Sequence, residues 1–438
     1  MIRRKILDHL REHLTQPEIT LLSGARQVGK TTLMNILMDE LREKREMTLF
    51  LSMDFESDKP FFASQEALIN RIRLEFGDQH GFVFMDEIQR KENAGLFLKG
   101  LYDMRLPVKF IISGSGSIEL KERISESLAG RKRIFELTPV TFPEFLDFRT
   151  GYKYIDKLAS YVNLFPEKSL GLLYEYLNFG GYPRVVTAPT VHEKMLMINE
   201  IYQSYIDRDI RPLIRGDRPE AFGRLIRLLA GQTGQMINLN RLAMDSQLSV
   251  PGLQKHLWVA EKTFLIKLIT PFFNNVTKEI TKSPVVYFND HGMRNFIISA
   301  FGNLQRPQDS GFVFQNLIGN TLLQELSGTP FRVHFWRTTD RAEVDFVIAR
   351  SGDPIPVEVK FSSFKKPSIT RSLRSFISKY KPSEAWIVNL TFTEKIEIDN
   401  TTIRFVSFYD LQDVLKNIVS SIERNYLAEE RVFPYRIK

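Results

Sequence analysis

A short glycine-rich segment, Gly24–Thr31, constrains the fold of this chain more than any other feature. It fits the spacing G-x-x-x-x-G-K-[ST] at every position. The apolar run Ile19–Ser23 precedes it, and a helical pattern follows from Lys30 to Leu41. A strand, a glycine-rich turn and a helix in this order let backbone N–H groups and a helix N-terminus surround a phosphate. The segment therefore predicts a phosphate-binding loop within an α/β domain.

The residues of this loop have separate expected roles in holding a nucleoside triphosphate. Lys30 should reach the β- and γ-phosphates, and the Thr31 hydroxyl should hold the accompanying Mg²⁺. ATP and Mg²⁺ are therefore the expected cofactors. The predicted nucleotide-binding residues are Gly24, Ala25, Arg26, Gln27, Val28, Gly29, Lys30, Thr31 and Thr32.

A pair of carboxylates follows another strongly apolar segment. Phe82–Met85 has the pattern of a buried strand, and Asp86 and Glu87 come directly after it. The carboxyl end of such a strand lies beside the phosphate loop in a parallel sheet. Asp86 can then bind Mg²⁺ through water, and Glu87 can polarise the attacking water as general base. Loop and carboxylates together predict an ATPase.

Two further segments supply candidate catalytic side chains. Ser113 ends the apolar run Val108–Ser113 and is a candidate sensor that orients the nucleophilic water; the alternative is a loop hydroxyl satisfied by local hydrogen bonds. Arg131 and Arg133 are candidate arginine fingers for the γ-phosphate, acting within one subunit or on a neighbour in a homo-oligomer. Their alternative is a solvated basic turn.

Changes in hydrophobic periodicity divide the chain into four predicted domains. Residues 1–150 alternate strands with helices, which predicts a parallel sheet covered on both faces. Residues 151–235 have helical spacing and predict a helical lid or linker. Residues 236–285 read as helix, turn, helix and two strands, the order of a winged helix-turn-helix. Residues 286–438 predict a second α/β domain.

The individual elements follow from the same patterns. Amphipathic helices are expected at Phe312–Leu326 and Ile369–Tyr380. Strands are expected at Ile19–Ser23, Thr48–Met53, Phe82–Met85, Val108–Ser113, Leu265–Pro271, Ser283–Phe288, Phe331–Arg337, Val344–Ala349, Pro356–Phe361 and Glu384–Leu390.

Composition narrows the class of protein and of partner. No run of about 18 apolar residues occurs, so no membrane span is expected. Cysteine is absent, which excludes disulfides, thiolate catalysis and cysteine-based zinc sites and suits a reducing cytoplasm. The formal net charge of +8 favours a polyanionic partner such as double-stranded DNA, although the same charge can serve solubility alone.

Short motifs along nearly the whole chain resemble those of a known family. They are Leu22–Leu33, Met85–Gln89, Ser127–Arg131, Phe142–Phe145, Gly180–Pro183, Tyr205–Ile210, Glu343–Phe346 and Pro356–Lys360. Together they resemble the prokaryotic AAA-type ATPases with a C-terminal DUF4143 domain. The resemblance implies an AAA core, a winged-helix segment and a C-terminal fold similar to the PD-(D/E)XK nucleases. It implies no settled biological role.

The nuclease-like fold implies a second metal site. Asp345 would lie on one strand, and Glu358 and Lys360 on the next, where two-residue spacing places both on one face. The carboxylates would hold Mg²⁺ and the lysine would activate water. Related ATPases are expected to have Glu where this chain has Gln315, and an amide is a poorer metal ligand. A non-cutting domain is therefore favoured over an active one.

Two basic segments are candidates for nucleic-acid contact. Arg371 and Arg374 lie three apart on one predicted helix. They have the basic neighbours Lys365, Lys366, Lys379 and Lys381. The possible phosphate-binding face competes with a solvated surface helix. In the second helix of the winged segment, Gln254, Lys255 and His256 can touch DNA, although winged helices also bind proteins.

Three functions remain from these patterns. The first is an AAA-type ATPase that hydrolyses ATP with Mg²⁺ to rearrange its domains, in association with DNA. The second is a nucleotide-controlled signalling switch that oligomerises and acts through protein partners. The third is an ATP-regulated nuclease.

Overall fold

The computed structural model describes residues 1–115, 127–155, 157–214, 219–273, 283–302, 307–350 and 352–420. The chain forms two compact units made of alternating segments. One unit comprises Met1–Gly151, Phe179–Phe222 and Pro251–Leu265, and the other comprises Tyr152–Asn178, Gly223–Val250 and Ile266–Lys438. The division into four domains stays a prediction.

A five-stranded parallel sheet with the order β2-β3-β4-β1-β5 forms the centre of the first unit. Its strands are β1 Ile19–Gly24, β2 Met47–Ser52, β3 Gly81–Asp86, β4 Val108–Ser115 and β5 Lys132–Leu137. Every residue of β1 and β3 is buried, as expected for central strands covered on both faces. This confirms the predicted α/β class with a parallel P-loop-type sheet.

The second unit contains two sheets. β6 Ile266–Ile269 and β7 Val285–Phe288 pair in an antiparallel manner. A six-stranded mixed sheet has the order β12-β13-β11-β10-β9-β8. Its strands are β8 Arg332–Arg337, β9 Glu343–Ala349, β10 Ile355–Val359, β11 Glu384–Asn389, β12 Glu394–Ile398 and β13 Thr401–Ser407. The predicted second α/β fold is therefore present.

The described residues also form α-helices. In chain order they are α1 Ile6–His13, α2 Lys30–Glu43, α3 Gln65–Phe76, α4 Ala94–Asp103, α5 Phe142–Arg149, α6 Leu158–Leu164, α7 Pro166–Phe179, α8 Pro183–Thr187, α9 Val191–Tyr205, α10 Pro219–Gly231, α11 Leu239–Ser246, α12 Val250–Lys262, α13 His291–Ile297, α14 Pro307–Glu325 and α15 Arg371–Tyr380. Residues 411–420 are also helical. No helix in the described ranges is long and apolar enough to cross a membrane.

Side-chain caps explain where several of these helices begin. Thr141 and Glu144 form a reciprocal capping box at α5, and Thr190 and Glu193 form one at α9. Thr370 caps α15 by accepting the Leu373 N–H. Each cap satisfies backbone donors that the first helical turn leaves without an intrahelical partner.

Three strands were not predicted, and one changes the interpretation of a candidate residue. β12 and β13 complete the C-terminal sheet, and β5 forms an edge of the first sheet. Arg133 lies inside β5, opposite Thr20 of β1, and its guanidinium lies 5.4 Å from the centre of the Phe135 ring. The alternative of a basic turn is therefore wrong for Arg133.

Candidate nucleotide site

The predicted phosphate loop lies at the carboxyl end of the parallel sheet. β1 ends at Gly24 and β3 ends at Asp86, while β4 pairs with both strands between them. Polar side chains that follow these three strands consequently meet at one edge. The sheet order thus brings together residues that are distant in the chain.

Two glycines fit this loop for different steric reasons. Gly29 has φ of 102° and caps the N-terminus of α2, a backbone conformation that L side chains rarely adopt. At Gly24, a Cβ atom would lie 2.3 Å from the Leu137 carbonyl oxygen. The first glycine of the motif is therefore required by close packing against the end of β5, and the second by backbone curvature.

Lys30 is buried at the start of α2. Its ammonium donates to the carbonyl oxygens of Gly24 at 3.0 Å and Ala25 at 2.8 Å. Burial lowers the pKa of Lys30 to about 8, while Glu87 and Asp86 oppose that change. An anion beside this ammonium would favour its charged form, which is the electrostatic property expected of a phosphate ligand.

Asp86 joins the loop to β4 through its two carboxylate oxygens. Thr31 Oγ1 donates to Asp86 Oδ2 at 2.7 Å, and the Ser113 hydroxyl donates to Oδ1. Hydroxyl and carboxylate oxygens are the ligands that Mg²⁺ prefers in proteins. The donor set therefore fits the Mg²⁺ predicted from the sequence, with Thr31 and Asp86 as its side-chain ligands.

Glu87 follows in a left-handed conformation with φ of 56°. Its N–H donates to Asp86 Oδ1 at 3.1 Å and to Ser113 Oγ at 3.4 Å, so the turn after β3 is fixed to the end of β4. Gln89 Nε2 donates to Glu87 Oε2 at 2.5 Å. The carboxylate next to the predicted metal ligands is thus oriented by its neighbours, as the predicted role of general base requires.

The loop has a buried support that sequence reasoning missed. Arg4 donates from Nη1 to the Val28 carbonyl at 3.2 Å and from Nη2 to the Thr138 carbonyl at 2.7 Å. Its Nε contacts Glu144 Oε2 at 3.1 Å. This explains the glutamate of the Phe142–Phe145 motif, which both caps α5 and neutralises Arg4. Nothing in the local pattern around Arg4 could have indicated this contact.

A second missed contact involves a loop residue directly. Arg26 Nη2 lies 3.3 Å from Asp209 Oδ1, and its Nε lies 3.4 Å from both carboxylate oxygens. Asp209 belongs to the Tyr205–Ile210 motif that contributes to the family resemblance. The motif was the available sequence signal for Asp209, but it did not indicate that Arg26 is the partner of this residue.

Arg131 is not brought to the other candidate catalytic residues. Its carbonyl accepts the Ile19 N–H at 2.9 Å, so it lies beside the amino end of β1, whereas the loop follows the carboxyl end. Along β1 this separation is about 17 Å, at about 3.3 Å per residue. The Arg131 Nε contacts Asp103 Oδ1 at 2.8 Å. Arg131 therefore cannot contact a phosphate in its own subunit from this position.

The predicted C-terminal metal residues do lie together. Asp345 Oδ1 accepts from Gln315 Nε2 at 3.1 Å, and Oδ2 accepts from the Val359 N–H at 2.7 Å. Glu358 contacts Lys360 Nζ at 2.7 Å and accepts from Thr370 Oγ1 at the same distance. Each carboxylate is thus occupied by protein donors.

Electrostatics at this cluster favour a protonated Asp345. Burial raises the pKa of Asp345 to about 7, while the Val359 N–H and Lys360 act in the opposite direction. Glu358 and its hydrogen bond raise the pKa of Lys360 against the effect of burial. In the part of the chain that the structure describes, no three His, Cys, Asp or Glu side chains converge as metal ligands. The second metal site stays a prediction, and Gln315 stands where a third carboxylate would be needed.

The candidate DNA-contacting residues differ in exposure. The basic side chains on and beside α15 are exposed; they are Lys365, Lys366, Arg371, Arg374, Lys379 and Lys381. Gln254 and Lys255 on α12 are exposed as well. His256 is fully buried, with its ring 5.8 Å from that of Phe222. The prediction that His256 can touch DNA is therefore wrong, because the residue belongs to a core.

Three family models match successive parts of the chain. Residues 16–146 match a family described as AAA domain, residues 170–304 match a domain of unknown function, DUF8612, and residues 310–410 match another, DUF4143. The first and third matches confirm the two domains that the motifs resembled.

Relatives with similar sequences include two uncharacterized proteins. One, from Mycobacterium tuberculosis, is 27% identical over 376 residues, which cover 85% of this chain and 76% of the relative. The other, from Methanocaldococcus jannaschii, is 25% identical over 401 residues, covering 87% and 85%.

Similar solved structures include two of low overall similarity. Cdc6p from Pyrobaculum aerophilum is 11% identical, covers 69% of this chain and 95% of its own, and has a TM-score of 0.29. AMPPCP-bound DnaA from Aquifex aeolicus is 14% identical, covers 59% and 86%, and has a TM-score of 0.25. The domain matches and the sheet order agree on one conclusion: the chain contains an AAA domain near its N-terminus and a DUF4143 domain toward its C-terminus.

Proposed function

We propose that this protein binds ATP with Mg²⁺ at the Gly24–Thr32 loop and hydrolyses it. The observation that carries the proposal is the convergence of Lys30, Thr31, Asp86, Glu87 and Ser113 at the carboxyl ends of β1, β3 and β4. These side chains supply a phosphate-binding cation, oxygen ligands for Mg²⁺, a carboxylate base and a hydroxyl. That combination matches phosphoryl transfer to water.

Each residue contributes a separate part of the chemistry. The loop N–H groups and Lys30 bind and orient the phosphates, which neutralises charge on the transferred group. Bound Mg²⁺ supplies further neutralisation and orients the phosphates. Glu87 accepts the proton of the attacking water, and Ser113 orients that water or holds Asp86 in position. Hydrogen bonds hold these groups in position before the reaction begins. Little free energy is therefore needed to reorient them as charge develops in the transition state.

Two substitutions test the assignment of roles. Lys30→Ala should abolish hydrolysis and weaken ATP binding, because it removes the buried ammonium beside the Gly24 and Ala25 carbonyls. Glu87→Gln should retain ATP binding and reduce turnover by at least about a hundredfold, the usual range for a lost general base. Equilibrium ATP binding and single-turnover hydrolysis separate the two effects. Unchanged turnover in Glu87→Gln would remove that residue from the role of base.

We further propose that the protein associates with DNA. This association is supported by the exposed basic side chains on and beside α15 and by the net charge of +8. ATP hydrolysis should rise with duplex DNA at low salt, and the rise should disappear at high salt. Arg371→Ala combined with Arg374→Ala should reduce this stimulation while leaving basal hydrolysis within twofold of wild type.

A slow rate of ATP hydrolysis that does not change when DNA is added would favour the second candidate, a nucleotide-controlled switch acting through protein partners. Copurified ADP and ATP-dependent growth in particle mass would support that switch. A monomer in every nucleotide state would count against it.

The nuclease alternative has its own test. Plasmid cleavage with Mg²⁺ or Mn²⁺ that is lost in Asp345→Ala and in Lys360→Ala would support it. Absence of cleavage with either metal, with and without ATP, would leave the C-terminal fold as a binding module. The donation from Gln315 to Asp345 makes this second outcome the expected one.

A further inference from the structure

Asp209 contacts the phosphate loop although 183 positions separate it from Arg26 in the chain. The two side chains are withdrawn from water, with exposed fractions of 19% for Arg26 and 14% for Asp209. Ion pairs in such positions interact more strongly than solvated surface pairs, because water screens them less. The Arg26–Asp209 ion pair is therefore a partly buried contact of the phosphate loop and not a solvated surface pair.

The backbone around Asp209 is unusual in a way that fixes its position. After α9, residues Ile206–Ile210 form a single π-helical turn in which the Arg211 N–H donates to the Ile206 carbonyl at 3.0 Å. Such turns occur mostly as single insertions in helices, frequently at functional sites. Tyr205 anchors the start of the turn, because its buried hydroxyl contacts Thr263 Oγ1 at 2.8 Å.

The carboxylate of Asp209 lies within the electrostatic surroundings of the phosphate site. Its negative charge acts on Lys30 in the same direction as that of Glu87 and Asp86. Burial raises the pKa of Asp209, while Arg26 and Lys30 oppose that change. A triphosphate placed against Lys30 would therefore repel Asp209 and compete with it for the Arg26 guanidinium.

We propose that Asp209 is a positioning residue that restrains Arg26 until a nucleoside triphosphate binds. Binding then transfers Arg26 from the Asp209 carboxylate to phosphate oxygens and releases the turn at 206–210 from the loop. This inference rests on the proposed ATP binding at the loop, and it adds a route by which the phosphates control the end of helix α9. Arginine suits this exchange because its planar guanidinium can bind either group in a bidentate manner.

Equilibrium binding of ATP with Mg²⁺ tests the restraint. Asp209→Asn removes the competing charge, so it should bind ATP about tenfold more tightly, which corresponds to about 1.4 kcal/mol. Asp209→Glu keeps the charge and should stay within about threefold of wild type. The matched control is Asp207→Asn in the same turn. Asp207 is about half exposed and contacts Arg211 at 3.0 Å, so its affinity should stay within twofold.

A second measurement follows the turn itself. Hydrogen exchange of the amides of residues 206–211 should quicken when wild type binds ATP, and it should already be fast in nucleotide-free Asp209→Asn. The fold of each variant is checked by its thermal unfolding transition.

The outcomes separate this inference from the function on which it rests. A folded Asp209→Asn protein that binds ATP as wild type does, or more weakly, would overturn the restraint while leaving ATP binding intact. A damaged fold would lower affinity and cannot imitate the expected gain. A wild-type protein that binds no ATP would instead remove the proposed function, and the restraint with it.

Discussion

At the level of single side chains, Lys30 holds its charge in a buried position between the carbonyl groups of Gly24 and Ala25. Its pKa of about 8 without a phosphate has a consequence for ATP affinity. A triphosphate stabilises the ammonium, so the bound state holds the proton more tightly than the free state. Affinity is therefore full below pH 8 and falls as pH rises through about 8.

The expected decline is up to about tenfold per pH unit above pH 8. Isothermal titration of ATP between pH 7 and 9.5 measures it, with Mg²⁺ saturating throughout. The second pKa of a phosphate is about 6, so the charge of ATP is constant in this range. An affinity that stays flat to pH 9.5, in protein that remains folded, would show that Lys30 keeps its proton by other means.

Sequence predicted the residues that act through local geometry, and it missed those that act across the chain. Lys30, Thr31 and Asp86 occupy positions that a loop and a strand end dictate. Arg4 and Asp209 reach the same loop from distant segments, and only the tertiary fold places them there. Nothing in the sequence around Arg4 indicates a contact with the loop, and the Tyr205–Ile210 motif includes Asp209 without indicating its partner.

At the level of elements, Asp345 couples strand β9 to the last residue of strand β10 by accepting the Val359 N–H. Its pKa of about 7 in the folded state exceeds the unfolded value of about 3.9. The folded state therefore binds the proton more tightly between these values. The contribution of Asp345 to stability is largest below about pH 4, falls as pH rises to 7, and stays unfavourable above it.

Asp345→Asn should remove that penalty, because an asparagine oxygen can still accept the Val359 N–H. The variant should be more stable than wild type at pH 8 by about 1 to 4 kcal/mol, and close to wild type at pH 4. Thermal unfolding of both proteins at the two pH values measures the difference. Glu394→Gln, at an exposed position on the edge strand β12, is the control and should change stability little.

The same measurement carries a test of metal binding. A divalent cation that stabilises wild type at pH 8, but has no effect on Asp345→Asn, would contradict the non-cutting interpretation. A variant no more stable than wild type at pH 8 would show that Asp345 is not desolvated in the folded protein.

Two of the three strands that sequence missed, β5 and β12, share a physical cause. β5 reads Lys-Arg-Ile-Phe-Glu-Leu and lies at a sheet edge, where half-exposed positions tolerate charge. β12 is likewise an edge strand with charged residues. Central strands such as β1 and β3 can be recognised in the sequence as apolar runs, because both of their faces are covered. Edge strands are specified by their neighbours instead, and that information is absent from a local window.

At the level of the whole molecule, the position of Arg131 distinguishes an arginine finger that acts within one subunit from one that acts on a neighbouring subunit. It lies at the amino ends of the parallel strands, opposite the phosphate loop. An arginine finger at this residue would therefore have to act on the site of a neighbouring subunit. Of the two arrangements that the sequence left open for this finger, only action between the subunits of a homo-oligomer is compatible with this position of Arg131.

Mixing two inactive proteins tests the arrangement. Arg131→Ala retains a complete phosphate site, and Lys30→Ala retains the arginine. If the finger acts between subunits, a mixture of the two should regain a measurable part of wild-type hydrolysis, because one subunit completes the other's site. Each variant alone at the same total concentration is the control. No recovery in a mixture that forms mixed oligomers, or full activity of Arg131→Ala alone, would exclude this role.

The alternation of the two compact units along the chain has a consequence for synthesis on the ribosome. The unit with the nucleotide site takes its last segment from Pro251–Leu265, long after its sheet strands have been made. The nascent AAA segment therefore leaves the ribosome before all the segments that pack against it have been made. Part of its apolar surface stays exposed until those segments are synthesised. Expression of residues 1–150 alone should accordingly yield aggregated protein, whereas the full chain should be recovered in soluble form. A truncation anywhere before residue 265 therefore removes part of the unit that contains the nucleotide site.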